Sequence, residues 1–108
     1  MSVVTCAGWW EQNGLGRQSM NDLQLQFRED RIVGAGVDVV GEFAFDGTVS
    51  NGDVILKKQY VDAHEVIYTG TFDGEGTLQG MWSISGVGGR WLIRIVQNQT
   101  HTDIVDLF

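Results

Sequence analysis

Five residues carry the side chains that could orient a bound small molecule: Asp38, Lys58, Tyr60, His64 and Tyr68. Lys58 and Tyr60 stand two apart in "VILKKQY", and His64 and Tyr68 four apart in "HEVIYTG", so each pair projects from one side of an extended chain. A carboxylate, an ammonium, two phenols and an imidazole together offer directional donors and acceptors. Any charge buried among them has to be paired, because an isolated one is strongly disfavoured away from water. His64 with Asp38 could orient a general base, but no Ser or Cys falls at a spacing that suggests a nucleophile on the same face. The chemistry expected is therefore binding, and the chain is not expected to be an enzyme.

Other signals are discounted on their spacing. "GAGVDVVG" at 34–41 approaches a dinucleotide fingerprint, but Val39 occupies the place of the third glycine and no helical pattern follows. "DGEG" is far short of a calcium loop, and no phosphate loop, zinc-type Cys and His spacing or serine elbow occurs. No cofactor and no metal are expected. The one cysteine, Cys6, has no intramolecular partner and reads as a small buried hydrophobe.

The elements that must position these residues are strands. The chain has 108 residues, 15 glycines and no proline, the size of one domain with many tight turns. Apolar residues alternate nearly everywhere, and no helical spacing persists long enough for a helix. Turn signals divide the chain into strands near 3–11, 20–28, 31–39, 42–50, 53–60, 64–72, 76–85 and 90–97. Asn51-Gly52 as a two-residue turn sets Phe45 opposite Lys58 and Phe43 opposite Tyr60. Val40-Gly41 as the preceding turn sets Asp38 opposite Phe43 and Gly36 opposite Phe45. Glu29-Asp30 sets Phe27 against Ile32 and Leu25 against Gly34. A connection at 61–63 pairs Tyr60 with His64 and Lys58 with Val66, and a three-residue loop after Phe72 places Val66 beside Trp82. One face then collects the large apolar residues, including Trp82 and Trp91, and the other collects water-facing polar residues.

Eight short strands paired in sequence, with one apolar face, predict an all-β fold, an eight-stranded antiparallel up-and-down barrel in which closure removes both sheet edges. Only 12–19 is long enough to hint at the crossover that a sandwich would need. Gly34, Gly36, Gly47, Gly70 and Gly80 fall on the inner face, where their missing side chains are expected to make room for aromatic rings. Residues 1–97 make the barrel domain, and 98–108, ending "DIVDLF", a C-terminal tail.

"AGWWEQ" on the first strand and "GRWLIRI" on the last, joined by a meander, resemble the calycin type of small barrel, which includes avidins and lipocalins. That resemblance implies that Gly8 and Trp10 pack near one barrel end against a basic residue of the closing strand, here Arg90 or Arg94. It does not extend to a set of biotin-contacting residues. It also admits barrels that act as protein-binding regulators.

The functional expectation is a small-molecule binding module. Asp38, Lys58, Tyr60, His64 and Tyr68 orient a small apolar or aromatic ligand in the barrel mouth, and Phe43, Phe45, Trp82 and Trp91 supply the walls. The same polar row could instead be a self-satisfied plug with Lys58 snorkelling to water. In that alternative the protein is a non-enzymatic interaction or regulatory barrel with a filled core. A net charge of −7 repels phosphate backbones and anionic lipid, so neither nucleic acid nor membrane is an expected partner. Trp9, Ile55, Ile67 and Leu92 on the outer face suggest a homo-oligomer. With no charged leader preceding an apolar run, a cytoplasmic location is expected.

Overall fold

The computed structural model describes residues 2–98. They form eight strands: β1 (Ser2–Gln12), β2 (Gly16–Arg28), β3 (Arg31–Val37), β4 (Glu42–Ser50), β5 (Asp53–Tyr60), β6 (Glu65–Phe72), β7 (Thr77–Ile84) and β8 (Val87–Asn98). Each is antiparallel to its neighbours, and β8 pairs back with β1, so the sheet closes into a barrel in sequence order. β5 shows why: Val54, Leu56, Lys58 and Tyr60 are buried while the residues between them are exposed, an unbroken period of two.

The hairpins at 29–30, 51–52 and 61–64 have the expected registers: Leu25 meets Gly34, Phe45 meets Lys58, and Lys58 meets Val66. Two others are displaced by two residues. Gly36, not Asp38, lies opposite Phe43, and Tyr68, not Val66, lies opposite Trp82. In the first case the turn is not Val40-Gly41 but the loop 38–41. The Asp38 carboxylate accepts the Val40 and Gly41 amides at 2.9 and 3.4 Å, so its side chain replaces two rungs of ladder. In the second, Phe72 pairs with Leu78 across a wider loop, tied by three amides donating to the Asp73 carboxylate.

Two boundaries also differ. Residues 12–19 are not a crossover, since Gln12 pairs with Gly16 across a tight turn and β2 begins there. β8 begins at Val87 because Ser85-Gly86 turns the chain, both at positive φ. Of the expected tail, Asn98 belongs to β8 and pairs with Val4, while 99–108 lie outside the described residues.

The inner glycines are inside for a reason that differs from the expected one. Gly70 and Gly80 face each other across β6 and β7, and a Cβ on Gly70 would stand 1.9 Å from the Gln79 carbonyl oxygen. What they admit is neighbouring backbone, letting a narrow barrel coil sharply. Gly36 alone of the inner five has a ring as its nearest neighbour, Cζ of Phe43 at 2.8 Å from a Cβ placed there.

The barrel has two unlike ends. At one, Phe27 and Phe72 stack with centroids 5.3 Å apart and stopper the core. At the other, the loops after β1, β3, β5 and β7 surround the candidate site.

Candidate functional site

The site is built from the inner positions of β5 and β6, from β1, and from the loop after β3. β5 delivers Lys58 and Tyr60, β6 delivers Tyr68, β1 delivers Trp10, and the 38–41 loop turns Asp38 inward over them. Lys58 has no exposed surface and Asp38 only 7%. Lys58 Nζ donates to Asp38 Oδ2 at 2.7 Å, to the Tyr68 hydroxyl at 3.1 Å and to Met20 Sδ at 3.8 Å, which uses all three protons. Asp38 Oδ2 also accepts the Tyr60 hydroxyl at 2.7 Å and the Trp10 indole N–H at 3.0 Å. With the two loop amides on Oδ1, five donors converge on one carboxylate.

Aromatic rings enclose the ammonium. Nζ lies 4.2 Å from the centroid of Phe43, 4.9 Å from Tyr60 and 5.2 Å from Tyr68, with Trp10 and Phe45 just under 6 Å away. Phe43 and Phe45 meet edge to face at 5.2 Å, and Trp91 tilts against Tyr68 at 5.2 Å while its N–H donates to the Thr69 carbonyl. Lys58 therefore does not snorkel, and no buried side-chain nitrogen or oxygen among the described residues lacks a partner.

Burial pushes the Asp38 carboxyl up, but the hydrogen bonds from Lys58 and Tyr60, the lysine charge and the Val40 amide outweigh it and hold the group below its ordinary value. At Lys58 the balance is reversed: burial lowers the ammonium to about 8 against the support of Asp38. Both shifts are downward, and both groups remain charged at neutral pH. The phenols of Tyr60 and Tyr68 are pushed far up, first by burial and then by the Asp38 charge, and stay protonated.

Above this layer lies a recess of about 250 Å³ that opens at the barrel end. Trp10, Trp82, Tyr60 and Tyr68 form its aromatic lining, and Val40, Val66, Ile84 and Val87 its aliphatic one, with Gln12 and His64 at the rim. Trp10 and Trp82 meet edge to face at 5.7 Å, and the Trp82 N–H is spent on the Glu11 carbonyl at 2.9 Å. His64 corrects an expectation. It precedes β6, its side chain is exposed, and its ring leans on Tyr60 at 5.1 Å, because the strand begins one residue later than the turn signals suggest.

Of the nine residues singled out from sequence, Tyr60, His64, Tyr68 and Trp82 line the recess. Asp38, Lys58, Phe43, Phe45 and Trp91 are buried outside its lining. The contact of Trp10 with Asp38 does not follow from the expected registers, because the loop after β3 displaces Asp38. The expected basic partner of Trp10 is also different. Arg90 lies outside, hydrogen-bonded to Glu11 and 5.9 Å over Trp9, and Arg94 is exposed, so the cation beside Trp10 is Lys58. Cys6 is buried, with its thiol raised to about 11 by desolvation. Among the described residues no three His, Cys, Asp or Glu side chains converge as a metal site would require.

No protein-family model, curated protein or solved structure matches this chain.

Proposed function

We propose that this barrel is a non-enzymatic binding module of calycin type that holds a small apolar or aromatic molecule in its open end. The observation that carries the reading is the 250 Å³ recess, walled by two indoles and two phenols, directly above a polar layer in which Lys58 and Asp38 neutralise each other. The two arrangements considered for the polar row are two layers of one site: the ion pair seals the core, and the aromatic recess above it takes the ligand.

Native mass spectrometry of the protein purified from its source tests this, together with the Val66→Phe variant, which fills the recess from β6. The expected result is a small organic molecule carried by the wild type and absent from the variant. A ligand-free wild type that also gains no thermal stability from small aromatic compounds would count against the proposal.

One observation favours the rival, an interaction barrel. Ile55 and Met81 are exposed on either side of Thr69 on the outer face of β5, β6 and β7, with Ile67 diagonal to both. In that case Val66→Phe is silent and Ile67→Asp abolishes partner binding or self-association.

A further inference from the structure

The hydrogen-bonding capacity of the recess is almost all spent on the protein, and what remains defines a ligand class. Both indole N–H groups of the lining are committed, Trp10 to Asp38 and Trp82 to the Glu11 carbonyl. The Tyr60 proton goes to Asp38 as well. Tyr68 differs: its oxygen accepts from Lys58, and its own proton has no acceptor among the described residues. Asp38 offers none, with five donors already on its two oxygens. A fully buried hydroxyl proton beside a cavity is a donor awaiting a partner, and the ammonium on its oxygen polarises it into a stronger one.

Charge is excluded from either side. An anion at the inner end of the recess finds no uncommitted cation, because Lys58 beneath it is neutralised by Asp38 at 2.7 Å and His64 stands at the rim. A cation finds the rings of Tyr60, Tyr68 and Trp10 already holding the lysine ammonium within 6 Å. Size follows from volume. An apolar cavity of about 150 Å³ takes benzene, with six non-hydrogen atoms. On that scale 250 Å³ takes about ten, a fused two-ring system.

Resting on the binding reading above, we infer that the ligand is an uncharged, flat, one- or two-ring aromatic whose ring nitrogen or carbonyl accepts the Tyr68 hydroxyl proton at the inner end of the recess. The rings stack among Trp10, Trp82 and Tyr60, and Tyr68 sets which end enters first. Gln12 and His64 at the rim meet water and leave the outer end permissive.

Three near-isosteric probes test this by calorimetry at neutral pH: naphthalene, with no acceptor; quinoline, with one; and N-methylquinolinium, charged and blocked. Quinoline is expected to bind about tenfold tighter than naphthalene, the scale of one buried hydrogen bond, and N-methylquinolinium more weakly than either. In Tyr68→Phe the preference for quinoline over naphthalene disappears. Because that variant also removes an acceptor from Lys58 and could unfold, the ¹⁵N resonance of quinoline bound to wild type gives a second reading. It moves upfield if the ring nitrogen accepts a proton. Equal affinity for naphthalene and quinoline, tight binding of the cation, or an unmoved nitrogen resonance overturns the inference and leaves the pocket standing. Failure of naphthalene and quinoline alike overturns the binding reading itself.

Discussion

Asp38→Asn probes the polar layer at the point where five donors meet. An amide has one acceptor oxygen, so its N–H₂ must face either the Val40 and Gly41 amides or the three donors Trp10, Lys58 and Tyr60. At least two donors lose their acceptor, at roughly 1–3 kcal/mol for each buried one and less for the loop amides near water. The ammonium also loses its counter-ion, and it can escape only by giving up its proton. The sum is a destabilisation of about 3–5 kcal/mol at pH 7, the range for breaking a buried pair from one side. With a urea m-value near 2 kcal/mol/M, the unfolding midpoint falls by about 2 M. Loss of the carboxylate lowers the lysine further, so the variant's deficit shrinks as pH is raised from 7 toward 10 and charging Lys58 ceases to matter. Adding Lys58→Met to Asp38→Asn removes the stranded amine and recovers part of the loss. A single variant within 1 kcal/mol of wild type, or a double variant no better than the single, would falsify the reasoning.

Wild-type stability itself should rise between about pH 8 and pH 10. Folded Lys58 releases its proton near 8 while the unfolded lysine keeps it to its ordinary 10.5, so the unfolded state binds more protons across that window. The slope from this group is at most about 1.4 kcal/mol per pH unit, and above pH 10 the raised phenols of Tyr60 and Tyr68 reverse it; urea midpoints against pH read both limbs. Gly70→Ala drives a Cβ into the Gln79 carbonyl oxygen and should cost about 3 kcal/mol. Gly36→Ala meets first a side chain, the edge of the Phe43 ring at 2.8 Å, and should cost less, and paired denaturation curves give the order. Cys6 should resist thiol reagents in the native state and react only as fast as the barrel opens, so its labelling accelerates with urea below the global midpoint.

What could be read from sequence depended on whether backbone or side chains decided the local geometry. The alternation in 53–60 and the Asn51-Gly52 turn are backbone properties, and together they fixed Phe45 against Lys58 and hence the lysine's inward direction. The loop after β3 was misread because Asp38 takes over hydrogen bonds that a tighter turn would have left to the ladder. That error moved Asp38 two registers and concealed its contact with Trp10. His64 was misplaced by carrying the period of β6 one residue too far. The inner glycines were located correctly, but whether carbonyl or ring fills the space beside each depends on barrel coiling, which no local pattern encodes. Tyr60 and His64, expected at the barrel mouth, both line the recess. Val40 and Val87 in its aliphatic wall come from loop-flanking positions whose direction only the true turn lengths set.

A methyl-resolved NMR titration with naphthalene tests the central claim most directly, because it reports where a ligand sits. The methyl signals of Val40, Val66, Ile84 and Val87 should shift together and saturate, while Ile32, Val54 and Leu56 in the filled core stay in place. Shifts confined to Ile55 and Ile67 on the outer surface, or no saturable shift at all, would contradict it.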